Sequence, residues 1–284
     1  MVLQYHSTVP GAFSKQMQSL EILKLCPYIH TLLRPRFSLL EGLRFDYEAD
    51  GVSLPTLQRL EWWHHNEAER SGGINSLSAV LHGAPNISYL FVGGIRSFNH
   101  LWLQKETLPH LQTLRLNTIS GLFLHQIISH WSLPSLTYIV LDSPPPDDSG
   151  WESIWNAFGS QLKTIEFGKS LGFFVDDQIS SCLKGCPGLQ ELNFYLRFTL
   201  PAAYMQPHTS LTTVRLHAAV SHLLPNDAAV WDIIDRHFKV LCGTDLPALR
   251  RIILYGDWKS ILHDPRFASI RETLQNIEVL EISS

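Results

Sequence analysis

The sequence predicts an α/β chain wound as a solenoid. Short parallel strands would line a concave sheet, and helices would return along the convex side, in about nine to ten irregular repeats. Three observations carry this prediction. An apolar frame, Pro-x-Leu-x-x-Leu-x-Leu, recurs along the chain. Its copies follow one another at a nearly constant interval. The segments between copies have the spacing and punctuation of helices.

The frame is clearest in "LPTLQRLEW" (54–62), "LPHLQTLRL" (108–116), "LPSLTYIVL" (133–141) and "LPALRRIIL" (246–254). Looser copies are "SLLEGLRF" (38–45), "APNISYLFV" (84–92), "SQLKTIEF" (160–167), "CPGLQELNF" (186–194) and "TSLTTVRL" (209–216). A last copy lies in "TLQNIEVLEI" (273–282), where two registers compete. The first aliphatic residues fall at 40, 57, 87, 111, 136, 162, 189, 211, 249 and at 274 or 277. The central intervals are 24, 25, 26, 27 and 22 residues. These match the period of leucine-rich repeats, about 20–29 residues. The short interval from 40 to 57 makes the first rungs irregular, and the long one from 211 to 249 holds an insertion.

The last two apolar positions of the frame alternate with polar ones, as a strand with one buried face requires. The first apolar residue turns into the same core. The preceding Pro cannot continue a helix, and it pushes its predecessor toward extended geometry, so it marks the end of each return. The returns then read as helices over 74–83, 121–130, 147–159, 176–186 and 226–243. Two of them open on Asp pairs, Asp147-Asp148 and Asp176-Asp177, which suit the positive end of a helix dipole. Residues 1–37 are expected to form a cap, a helix leading into one degenerate rung ("CPYIHTLL"), and residues 38–284 the repeat domain.

Composition narrows the function classes. The chain has 284 residues, 45% of them hydrophobic and 17% charged, with a net charge of −4. That describes a globular chain rather than a disordered one. No basic block favours nucleic acid, and no apolar run is long enough to span a bilayer. The N-terminus lacks the charged start and apolar core of a secretory signal. The four cysteines, Cys26, Cys182, Cys186 and Cys242, are scattered rather than arranged as a disulfide framework. An intracellular setting, cytoplasmic or nuclear, is therefore expected.

The strings resemble the leucine-rich-repeat region of F-box proteins, the substrate receptors of cullin-type ubiquitin ligases. "CPGLQELNF" is especially similar to the Cys-Pro-x-Leu-x-x-Leu-x-Leu variant found there. The stretch "LEWWHHNEAERSGGINSLSAVLHGAPNISYLFVGG" (60–94) resembles a segment of F-box/leucine-rich-repeat proteins abundant in mushroom-forming fungi. The resemblance covers about residues 38 to 284 and implies a non-enzymatic module that recognises a protein substrate or partner. Residues 1–37 lack the Leu-Pro opening of an F-box, so binding of a ligase adaptor does not carry over.

Candidate chemistry is sparse. "WWHHNE" (62–67) gathers two tryptophans, two histidines and a carboxylate. Adjacent residues leaving a strand point in different directions, so His64 and His65 make a poor ligand pair and read as polar turn residues. Cys182 and Cys186 are four apart near a helix end, but no second Cys or His pair completes a zinc set, and they read as core. Phosphate-binding loops and nucleophile elbows are missing. No cofactor and no metal is expected. The alternative to a binding module is an enzyme with its site near His64, His65 and Glu67, or in the insertion over 226–243.

The open strand face is the better candidate. In each rung, positions three, five and seven point away from the core. They place Arg59, Glu61, Trp63, Tyr89, Phe91, Arg115, Asn117, Tyr138, Asp142, Glu166, Asn193, Tyr195, Arg215, His217 and Tyr255 on that face. Aromatic and Arg side chains mixed with polar groups have the composition of a protein interface.

Overall fold

The computed structural model describes residues 28–34, 36, 53–64, 76–95, 103–143, 151–168, 177–196, 200–203, 206–218, 227–274 and 277–282. The chain divides into two compact units, residues 1–136 and 137–284, both mixed α/β with a parallel sheet.

In the first unit the main sheet runs β1 (Thr31–Arg34), β2 (Arg59–Trp63), β3 (Tyr89–Gly93), β5 (Thr113–Asn117). All its pairings are parallel, with Thr31 beside Arg59, Arg59 beside Tyr89, and Tyr89 beside Thr113. A second, two-stranded parallel sheet joins β4 (Glu106–Thr107) to β6 (Trp131–Ser132). The helices are α1 (Leu77–His82) and α2 (Gly121–His130). Each is capped by a serine: Ser76 Oγ accepts from Ala79 N–H, and Ser120 Oγ from Phe123 N–H.

In the second unit the order is β7 (Tyr138–Leu141), β8 (Thr164–Phe167), β9 (Glu191–Tyr195), β10 (Thr213–His217), β11 (Arg251–Tyr255), β12 (Glu278–Ile282). Every neighbouring pair is again parallel. The helices are α3 (Glu152–Phe158), α4 (Gln178–Gly185), α5 (Asp227–Leu241), α6 (Lys259–Leu262) and α7 (Phe267–Thr273). Asp177 caps α4, its Oδ1 accepting from Ile179 and Ser180 N–H at 3.0 and 2.9 Å. The acidic start read from the sequence is thus a true N-cap here. Asp147, Asp148 and Asp176 lie outside the described residues. The insertion is α5, whose buried stripe includes Ile234, His237, Phe238 and Leu241. The sequence reading missed the short helices α6 and α7 and the small β4–β6 sheet.

From Leu57 to Leu249 each strand begins two residues after the first aliphatic residue of its frame. The three apolar columns of the frame are the core. At positions one, four and six of these rungs no residue is more than 3% exposed. The backbone repeats a turn just before most of the strands. Leu57, Leu111, Leu136, Leu189 and Leu249 each donate N–H to the carbonyl three residues earlier, at 3.0–3.2 Å. In the 211 rung that slot holds His208, which is buried. Leu211 N–H donates to His208 Nδ1 at 3.2 Å, and Nε2, left as the donor, meets Cys186 O at 3.0 Å. An imidazole there does the work of a backbone turn and also ties two rungs together.

Two expectations need correcting. The strand beside β2 is β1, not the copy that starts at Leu40. Ile29, buried like the other first positions, opens that rung 28 residues before Leu57. Seventeen residues from Leu40 would be too few for a strand, a helical return and a second strand, and 28 suffice. Residues 37–52, with the Leu40 copy, and the expected N-terminal helix lie outside the described residues. In the last rung, the turn bond falls on Ile277, whose N–H donates to Leu274 O at 2.9 Å, but Glu278 pairs with Arg251. The ladder therefore runs one residue ahead of the frame counted from Ile277.

In the second unit α3 and α4 meet backbone to backbone. A Cβ added at Gly159 would lie 2.1 Å from Gly185 O, and one at Gly185 would lie 2.3 Å from Trp155 Cβ. Both positions are glycine because the neighbouring return passes too close for a side chain.

Candidate functional site

The side of each sheet opposite the core carries the residues expected there, and the two units arrange them differently. In the first unit, Arg59 pairs with Glu61 on its own strand, and its guanidinium lies 3.9 Å from the centre of the Tyr89 ring. Arg59 and Glu61 are both well exposed, so the pair adds little stability. Trp63 and Phe91 pack with ring centroids 5.0 Å apart and planes at 60°. Gly93, the next residue along this row, lies beneath both rings, and a Cβ there would come within 2.8 Å of each. Phe91 is buried by that contact. Arg115 is half-buried, and Asn117 Oδ1 accepts from Thr118 Oγ at 2.7 Å.

In the second unit the side chains form a connected polar and aromatic network. Tyr138 O–H donates to Glu166 Oε2 at 2.6 Å, and Asn193 Nδ2 approaches the same oxygen at 3.5 Å. One strand further, Arg215 is clamped from two sides. Its Nε lies 2.6 Å from Glu191 Oε1, an Nη donates to Glu191 Oε2 at 3.2 Å, and the other Nη donates to Tyr255 Oη at 2.6 Å. Along the seventh positions Tyr195, His217 and Tyr255 stack across three strands. Their centroid separations are 4.5 and 5.0 Å, with interplanar angles of 23° and 14°. Arg251 and Glu278 add an exposed pair at the 3.0 Å level beyond them, a contact the uncertain last register hid from the sequence.

The electrostatics follow from this packing. Burial, reinforced by the Glu166 carboxylate that accepts its proton, pushes the Tyr138 phenol well above the usual tyrosine range. Burial holds His217 below the usual imidazole value; Glu166 pulls it up, and Arg215 pushes it down. Burial alone would lower Arg215, but the bonds and charge of Glu191 outweigh it, so the guanidinium stays firmly charged.

Three expected surface residues are not on the surface. Asp142 is 2% exposed, Asn193 5% and Phe91 7%. Alternation fixes which side of the strand a side chain leaves from, but the neighbouring rung decides what covers it. Asp142 is turned against the next strand: a Cβ at Gly168 would lie 1.9 Å from its Oδ1. Phe91 lies under Trp63. Arg59, Glu61, Trp63, Tyr89, Arg115, Asn117, Tyr138, Glu166, Tyr195, Arg215, His217 and Tyr255 all keep some exposure.

The alternative sites look different. His64 donates its backbone N–H to Gly93 O at 2.8 Å, continuing the ladder, and its ring is buried rather than part of an exposed turn. His65 and Glu67 lie outside the described residues. In the insertion, His237 is buried with its ring centroid 5.5 Å from that of Phe194. Cys182 and Cys186 are buried free thiols, and Cys242 is a free thiol of intermediate exposure. Among the described residues no group of three or more His, Cys, Asp or Glu is placed to hold a metal ion. No helix among them is long and apolar enough to cross a membrane. No family model matches the chain, and no curated protein shows detectable similarity to it.

Proposed function

We propose that the chain is a leucine-rich-repeat solenoid and acts as a non-enzymatic protein-recognition module. Its role would be like that of the substrate-recognition part of F-box/leucine-rich-repeat ubiquitin-ligase receptors. The observation that carries the reading is the recurring frame. Rung after rung, the strand starts two residues after the first aliphatic residue and pairs in parallel register within its unit. Positions three, five and seven are thereby aligned into rows of aromatic, Arg and polar side chains. Curved repeat arrays use such a face for binding. The mechanism is rigid display: side chains already held by their neighbours lose little further entropy when a partner docks. The free thiols support placing this activity in the cytoplasm or nucleus.

An affinity pull-down read by mass spectrometry tests the proposal. Wild-type chain is compared with the Trp63→Ala/Arg115→Ala/Tyr195→Ala variant, after circular dichroism shows that the variant folds. Specific partners should be lost from the variant. Retention of every partner would show that binding does not use this face.

A further inference from the structure

Most charges on the open face of the second unit are matched within the face. Glu191 holds Arg215, and Glu278 holds Arg251. Glu166 is the exception. It is half-buried, its one strong hydrogen bond comes from the neutral Tyr138 hydroxyl, and that bond uses Oε2. Among the described residues no Lys or Arg pairs with it. His217 does not supply a steady cation either, because burial favours its neutral form.

Beside this carboxylate lies a second acceptor without a donor. Asn193 is 5% exposed, and its amide nitrogen sits 3.5 Å from Glu166 Oε2, yet its Oδ1 accepts no hydrogen bond. A buried amide oxygen without a donor is costly, and a donor supplied by a bound group is one way a native fold accounts for it. The terminal amide torsion is soft, so a modest rotation presents Oδ1 to an incoming donor. A half-buried carboxylate, held in place by a tyrosine and flanked by an unused amide acceptor, suits a group with several N–H donors and a positive charge. Lysine and arginine side chains are such groups.

We propose that Glu166, oriented by Tyr138 and assisted by Asn193, anchors a basic side chain of a polypeptide partner. The proposal rests on the reading of the open face as the partner surface and names the chemistry that face selects. Arg215 lies two strands from Glu166 and is paired with Glu191, which offsets its repulsion of an incoming cation. Tyr138 acts as a positioning residue: its hydroxyl fixes one carboxylate oxygen and leaves the other to the partner.

A random dodecapeptide phage library selected on the immobilised full chain supplies the probes. Selected peptides are then synthesised and titrated by fluorescence anisotropy. The expected result is a Lys or Arg at a recurrent position. Its replacement by Gln in the peptide should weaken binding about tenfold or more, the scale of a charge-assisted hydrogen bond. Glu166→Gln, which still accepts from Tyr138, should weaken binding to a similar degree. Glu278→Gln makes the same charge change on an exposed pair and should have less than about a twofold effect. Peptides weakened by Trp63→Ala or Tyr195→Ala but indifferent to Glu166→Gln and to loss of their own basic residues would overturn this inference and leave the open-face reading standing. Peptides indifferent to all open-face variants, or no selected peptide at all, would overturn both. The peptide-side substitution needs no protein variant, so the test stands even if Glu166→Gln fails to fold.

Discussion

Replacing Gly159 by Ala tests the packing of successive helical returns, because two opposed effects predict opposite signs. Gly159 follows α3 with φ −58° and ψ −32°, ordinary right-handed helical geometry. Judged by backbone alone, Ala should be the better residue, stabilising by about 0.4–1 kcal/mol through the unfolded chain. The contact with α4 argues the other way. The new Cβ would sit 2.1 Å from Gly185 O of α4, and 2.4 Å from Trp155 O of its own helix. A comfortable carbon–oxygen contact is about 3.3 Å. The α4 backbone would have to retreat by roughly 1 Å, the difference between those two distances.

The obstacle is a carbonyl on a packed helix, not the tip of a flexible side chain. Overpacking of this kind costs about 1–3 kcal/mol, and the required shift points to the upper half of that range. Net of the entropic gain, Gly159→Ala should destabilise by about 1–2.5 kcal/mol. Urea denaturation followed by circular dichroism measures it. Gly188→Ala is the control. Its Cβ would meet Lys163 Nζ at 3.1 Å, a group that can swing away, and stability should change by less than about 0.5 kcal/mol. A Gly159→Ala variant as stable as wild type, or more so, would refute the close approach of the two returns.

Three further outcomes are expected. Because the Tyr138 phenol titrates above its unfolded value of about 10, the stability it contributes is complete below that pH and is lost as pH rises beyond it. Urea unfolding at a series of alkaline pH values should show wild type losing its margin over Tyr138→Phe, and a margin constant up to the highest usable pH would contradict the Glu166 contact. His217 has a lowered value, so the unfolded chain binds the proton first. Stability is complete above about 6.5 and falls as pH drops below it, relative to His217→Phe. Its ring resonance should titrate below the usual imidazole midpoint, and Tyr195→Ala should move that midpoint upward by opening the stack; a midpoint at or above the usual value would count against the stack. Among the described thiols, Cys242 should react with iodoacetamide before Cys182 and Cys186, since the latter two are fully buried and Cys242 is only partly so. Peptide mapping of the labelled chain reads the order, and early labelling of Cys182 would contradict its place in the core.

The core was legible because its signal repeats. A period of two at positions four and six, with a helix-stopping Pro before them, admits one register, and eight rungs from Leu57 to Leu249 keep it. The first rung reads as degenerate because Arg34 takes its sixth position, where the other rungs are apolar. Its guanidinium lies 4.3 Å from the centre of the Trp62 ring, so the stem and cation cover a core tryptophan. His208 was illegible for a different reason. A histidine in a leucine slot gives no apolar signal, and only the bonds to Cys186 O and Leu211 N–H show what it replaces. On the open face the rows were legible and the burial was not. Whether Asp142 reaches solvent depends on residue 168 being Gly, and whether Phe91 does depends on residue 63 being Trp.

That dependence on neighbours explains why the candidate site lies in the second unit's network rather than at the most conspicuous stretch of sequence. "WWHH" draws the eye, but in register Trp62 is core, Trp63 covers Phe91, and His64 is buried behind its own ladder bond. Buried in this way, Trp62 and His64 are closed to a partner, and Trp63 offers an apolar ring but no charge. The same test applied to the second unit gives a different answer. Arg215 is paired with Glu191 and hydrogen-bonded to Tyr255, and His217 lies between two tyrosine rings. These groups stiffen the surface, so a partner does not have to immobilise them. Glu166 is stiffened too, by Tyr138, but its charge is left unmatched and the adjoining Asn193 oxygen is left without a donor. A site needs both properties, rigidity to limit the entropic cost and an unspent interaction to supply the gain. On this face Glu166 and Asn193 combine them.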